Sequence, residues 1–130
     1  MQHDEFVGAV QHRADLASRG EAIRVTRATL TTLGERLQPG EASDLAGALP
    51  MEIDYFLQDA HSGELFDFDE FVSRVSQRAQ AEQSDALFYA KVVVDVVAES
   101  VPDTELDDVT AQLPDAYDEL FELVGEDSYY

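Results

Sequence analysis

The sequence predicts an all-α protein of about eight helices, arranged as two tandem, pseudo-symmetric four-helix repeats packed into one compact domain. Three observations carry this. The chain repeats itself in order over most of its length, its apolar residues recur at steps of three and four, and acids or prolines stand where helices would begin.

The repeat is read by direct alignment. Asp4-Glu5-Phe6-Val7 recurs as Asp69-Glu70-Phe71-Val72, and Val10, Arg13 and Ala14 match Val75, Arg78 and Ala79 at the same offset. After one single-residue deletion, Ala22, Leu30 and Leu33 match Ala86, Val94 and Val97. Arg27 meets Lys91, Glu41 meets Glu105, Asp44 meets Asp108, and Leu49-Pro50 meets Leu113-Pro114. Phe6, Phe71, Leu49, Pro50, Leu113 and Pro114 are the signature positions. The expected units are residues 1–64 and 65–124, with a seam near Asp59–Glu64 and a frayed tail at 125–130.

The first helix of each unit opens at an acidic cap, Asp4 or Asp69, and runs to about Ala17 or Ala81. The second is long and apolar, about 21–37 or 84–101. The stretch Ala86 to Val101 is rich in β-branched residues and alone could be a strand. Its partner carries a plain helical stripe of Ile23, Leu30, Leu33 and Leu37. Leu87, Ala90, Val94, Val97 and Val101 alternate steps of three and four, so both segments are read as helices. The third helix follows Pro39-Gly40 or Pro102-Asp103 and ends near Ala48 or Gln112. The fourth starts at Pro50 or Pro114, where proline presets the first turn. Ile53, Phe56 and Leu57 line one of its faces, as do Tyr117, Leu120 and Phe121.

Composition bounds the habitat and the chemistry. The 130 residues carry 28 acids against eight bases, a net charge of −20, and 45% are hydrophobic. Only Lys91 is a lysine; the other bases are arginines. Self-repulsion of this size weakens a compact state unless salt screens it. Carboxylates without lysine suit a salt-filled cytoplasm, so a halophilic, haloarchaeal-type source is expected. The absence of cysteine excludes disulfides, thiolate catalysis and cysteine zinc sites. The acidic start Met1-Gln-His-Asp-Glu-Phe6 is unlike a signal peptide, and no apolar run approaches membrane-spanning length. The expected location is cytoplasmic, with no membrane partner.

The run Asp108-Val-Thr-Ala-Gln-Leu-Pro-Asp-Ala-Tyr-Asp-Glu-Leu-Phe121, with its looser counterpart Asp44-Leu-Ala-Gly-Ala-Leu-Pro50, resembles a family of uncharacterised proteins, the domain of unknown function 2267. The resemblance covers nearly the whole chain and implies an all-helical, duplicated core. It implies no reaction, cofactor or catalytic residue.

Candidate chemistry is thin. Asp59 to Glu70 has the length of a calcium loop, but positions 3, 5 and 6 are His61, Gly63 and Glu64, which lack two ligands and misplace the glycine. It reads better as a linker entering a helix cap. His3, His12 and His61 have no partner at metal-site spacing, and His12 becomes Gln77 in the second copy. No nucleophile elbow or phosphate loop occurs. No catalytic, cofactor-binding or metal residue is therefore assigned, and no cofactor is expected.

Charges kept in both copies call for partners. An ion pair in each half is expected, Arg27 with Asp44 and Lys91 with Asp108; the competing reading is a surface that binds an acidic partner. Residues 1–64 carry eleven acids and five arginines, and residues 65–130 seventeen acids and three bases. Arg19, Arg24, Arg27 and Arg36 give the first half its basic character, but the footprint for direct nucleic-acid binding is missing. The leading expectation is a non-enzymatic protein-interaction or stress-related accessory module. The alternatives are an acidic decoy of nucleic acid for a basic partner surface, and a small-molecule binder or enzyme at the groove between repeats.

Overall fold

A computed structural model describes residues 1–125 of the chain. They form seven α-helices and one 3-10 helix, with no strand among them. The α-helices are α1 (His3–Arg13), α2 (Arg19–Arg36), α3 (Pro39–Gly47), α4 (Ile53–Gln58), α5 (Phe68–Ala79), α6 (Gln83–Ser100) and α7 (Asp103–Gln112); the 3-10 helix is Asp115–Phe121. Beyond Gly125, the expected tail lies outside the described residues.

The two 18-residue helices, α2 and α6, pack on each other at the centre. Helices α1 and α5 each touch both of them, α4 lies on α2 and α3, the 3-10 helix lies on α6, and α3 meets α7. The valine-rich stretch is helical because its neighbours enclose it. Val92, Val93, Val94, Val96 and Val97 are all buried, so β-branched shape is used for packing on every side of the helix. Leu30, Leu33 and Leu37 are buried as the stripe predicts, while Ile23 and Leu87 are half-buried at its outer end. Phe6 and Phe71 are fully enclosed, and Leu49 and Leu113 are buried equally.

Helix ends and one helix type differ from expectation. The cap of α5 is Asp67, whose side chain accepts from the Glu70 amide at 2.9 Å, and that of α1 is Gln2; Asp69 and Asp4 sit inside the first turn, where they face the helix dipole. Helices α1 and α5 stop at Arg13 and Ala79 rather than near 17 and 81. Asp15 and Gln80 take left-handed backbone (φ 54° and 57°), and the amides of Leu16 and Ala81 fold back to the carbonyls of Gln11 and Ser76. This is a Schellman close at both ends. Helix α4 starts at Ile53 rather than Pro50, because Glu52 has φ 78° and interrupts the turn. After Pro114 the fourth segment of the second half is a 3-10 helix rather than an α-helix.

Residues 60–67 are strapped along the end of α2. The amides of Gly63 and Glu64 donate to the carbonyls of Leu37 and Glu35, at 2.8 and 2.9 Å. Arg74 lies over the Phe66 ring and pairs with Glu64. Gly34 permits the close approach of the segment after α4: a methyl group there would stand 3.0 Å from both Ala60 Cβ and the Leu57 carbonyl oxygen.

Two buried hydroxyls, of Thr26 and Thr29, have no hydrogen-bond partner. The corresponding positions of the second half hold Ala90 and Val93. Thr29→Val keeps the shape and removes the desolvated oxygen, so it is expected to raise the unfolding free energy by about 1 kcal/mol, read by denaturant melts. A loss of stability would mean that the hydroxyl has a partner.

Candidate functional site

Seven of the chain's eight bases take part in helix packing or face one concavity. Arg13 donates from α1 to Asp95 (2.9 Å) and Glu99 (2.7 Å) on α6. Arg78 donates from α5 to Glu35 on α2 with both terminal nitrogens, at 2.6 and 2.9 Å, and to the Thr32 hydroxyl. Arg74 adds Glu35, Glu64 and Glu70, and Arg36 is buried beneath the Tyr117 ring with its Nε on the Phe66 carbonyl. Burial alone pushes the Glu35 carboxyl up, but hydrogen bonds and charge from Arg78, then Arg74, outweigh it and hold Glu35 below the ordinary carboxylate value.

Arg24 and Arg27 are different. Both are exposed on α2, and among the described residues neither has a carboxylate within ion-pair distance. They line a cavity of about 700 Å³ between α2, α4 and the C-terminal end of α5. Arg78 closes its far wall, already anchored on Glu35. Tyr55, 58% exposed, and Phe56 supply an aromatic wall, Ile23 and Ala28 a small apolar floor, and Asp59 an acid at the rim. Spacing explains the convergence. Arg24 and Arg27 are one turn apart on one helix face, and α4 is brought beside that face by the close contact at Gly34.

The ion pairs expected within each half are not among those the described residues form. Lys91 turns to Glu122 (3.1 Å) and Glu119 (3.6 Å) at the 3-10 helix. Asp44 and Asp108 lie instead at the α3–α7 contact, beside Glu41 and Glu105. Glu41, Asp44 and Glu105 each place an oxygen within 4.8 Å of the others, and one oxygen of Glu41 and one of Glu105 are buried without a hydrogen-bond partner. Burial first, then the Glu105 carboxyl, then Asp108 and Asp44 push the Glu41 carboxyl up to about 7.

That value has a stability consequence. Folded Glu41 holds its proton above the ordinary carboxylate value of 4.5, so folding is weakened as pH rises between about 4.5 and 7, and the penalty is complete above that. Glu41→Gln mimics the protonated form. It is expected to leave stability nearly unchanged at pH 4 and to raise it by about 1 kcal/mol at pH 8, measured in EDTA so that no cation can bridge the carboxylates. Equal effects at both pH values would contradict the assignment.

His3 is half-buried near Asp4 and Glu52, while His12 and His61 are exposed and apart. Sequence reasoning noticed the arginines of the first half but missed Tyr55, Phe56 and Asp59. Only the spatial meeting of α4 with α2 reveals these as their neighbours.

No helix among the described residues is long and apolar enough to cross a membrane. A search of curated proteins finds no match to the chain. Residues 3–120 match a family described as an uncharacterized conserved protein, DUF2267, and a match over that span places the chain in the DUF2267 family.

Proposed function

We propose that this protein is a non-enzymatic binding module whose groove between α2, α4 and α5 takes an anionic small molecule. One observation carries the reading. In a chain of 28 acids and eight bases, Arg24 and Arg27 have no carboxylate within ion-pair distance among the described residues and meet Arg78 at one aromatic-walled cavity, with Asp59 as the one acid of its lining. Its volume, about 700 Å³, falls in the range of small-molecule sites, and guanidinium groups suit carboxylate or phosphate. An enclosed groove of this size favours a small ligand over the protein partner expected from sequence.

Thermal shift in 1 M KCl, with inorganic phosphate, pyrophosphate and citrate at matched ionic strength, tests this. The melting temperature is expected to rise by several degrees with at least one anion at saturation. Arg24→Glu/Arg27→Glu is expected to abolish the rise. No anion-dependent shift in the wild type, or an undiminished shift in the double variant, would overturn the proposal.

We also propose that residues 1–64 and 65–124 are tandem copies related by a pseudo-two-fold axis. The crossed pairs support this: Arg78 reaches Glu35, and its counterpart Arg13 reaches Glu99, the counterpart of Glu35. Such reciprocity is what a two-fold relation produces. The matched Schellman closes and the equal lengths of α2 and α6 add to it.

A salt-adapted, cytoplasmic setting remains part of the proposal, resting on the charge of −20 and the single lysine. Screening at ~1 M salt shortens the Debye length to about 3 Å. The melting temperature is therefore expected to rise steadily from 0.1 to about 2 M KCl as repulsion between like charges is lost. A flat or falling curve would remove this part of the proposal.

A further inference from the structure

The two halves differ at one place that defines what the groove accepts. Aligned at the offset that joins Leu49-Pro50 to Leu113-Pro114, Arg27 corresponds to Lys91, Arg24 to Phe88, Tyr55 to Glu119 and Gln58 to Glu122. The packing matches too: α2 with α4 and α5 in one case, α6 with the 3-10 helix and α1 in the other. In the second half the base is already answered. Lys91, with a side chain only 16% exposed, is held by the carboxylates of Glu119 and Glu122. In the first half both carboxylates are replaced, by a tyrosine and a glutamine, while the positive charge is doubled.

We infer that the groove ligand carries two negative groups, carboxylate or phosphate, which occupy beside Arg27 and Arg24 the places that Glu119 and Glu122 fill beside Lys91. The inference rests on the binding role proposed above and specifies its ligand class. The second half contains its own anions and so holds its base closed. The first half keeps one acid, Asp59, in the cavity lining, where it forms no ion pair with Arg24 or Arg27 among the described residues, and two guanidinium groups stay open. At the sequence position that matches Glu119, the exposed Tyr55 lines the cavity and brings no charge to it.

The test is to build the missing acid. Tyr55→Glu places a carboxylate in the groove lining at the sequence position that matches Glu119, and Tyr55→Gln is its uncharged control. Because Tyr55 is exposed, both variants are expected to fold, which melting curves check. Isothermal titration in 1 M KCl with pyrophosphate and with citrate compares the three proteins. Tyr55→Glu is expected to bind the tighter anion at least tenfold more weakly than Tyr55→Gln, and to melt at a higher temperature without ligand. Equal affinities of Tyr55→Glu and Tyr55→Gln would overturn the inference while leaving an anion-binding groove intact. Binding of acetate as tight as that of pyrophosphate or citrate would also overturn it. Failure of every anion to bind the wild type would fall on the binding role itself. Tighter binding of pyrophosphate than of citrate assigns a phosphate ester, and the reverse order a polycarboxylate; either result satisfies the inference.

Discussion

Asp95→Ala is expected to lower the unfolding free energy by about 3–5 kcal/mol, the largest loss from any single charge in the chain. Asp95 is 4% exposed in the middle of the central helix α6, and it accepts from Arg13, whose side chain is 12% exposed. Removing the carboxylate takes the buried counter-charge from a largely desolvated guanidinium, whose bond to Glu99 lies at the solvent edge. Glu99→Ala, at a side chain 43% exposed, is the control and is expected to cost less than about 1 kcal/mol. Arg13→Met/Asp95→Leu removes both buried charges and is expected to recover most of the loss. Denaturant unfolding in 2 M KCl separates these outcomes. Comparable losses for Asp95→Ala and Glu99→Ala would show that burial does not set the strength of this pair.

Tyr117→Ala is expected to cost a similar amount, about 3–5 kcal/mol. The ring is buried and meets Phe68 and Phe71 edge-on, with centroids 5.1 and 5.7 Å away, while Arg36 lies 5.4 Å from its centroid. Its hydroxyl donates toward the carbonyls of Phe66 and Asp67, at 2.8 and 3.1 Å, and so fixes the entry into α5. Burial, the largest influence, pushes the phenol up to about 12, so it stays a donor across physiological pH. Tyr117→Phe keeps the ring packing and is expected to cost about 1–2 kcal/mol. If Phe is as damaging as Ala, the hydroxyl rather than the ring holds this corner together.

Helix number, order and the apolar stripes were legible because the two halves interpret each other. Ala86–Val101 is ambiguous alone, but its counterpart with Leu30, Leu33 and Leu37 admits only a helical period. Boundaries were less legible, since Asp15, Glu52 and Gln80 adopt positive φ without being glycine. Two of those angles belong to Schellman closes made without glycine, so no glycine in the sequence marks where α1 and α5 end. Charge partners were the least legible. The expectation sought acids for Arg27 and Lys91 in the next helix of the same half. Arg13 and Arg78 instead cross between halves, and Lys91 reaches past α7 to the 3-10 helix. Nothing in local spacing carries that information, because the paired residues lie 28 to 86 positions apart in the chain. The groove was half-visible: its arginines stood out in an acidic chain, while its aromatic wall comes from a helix twenty-eight residues away, at Tyr55.

Arginine Nε–Hε resonances, followed by NMR during a pyrophosphate titration in 1 M KCl, report most directly on whether the groove is an anion site. Arg24 and Arg27 are expected to shift along one saturable curve while Arg13, Arg74 and Arg78, held by internal carboxylates, stay in place. Uniform, non-saturating movement of all the arginines, or no movement at Arg24 and Arg27, would contradict the account.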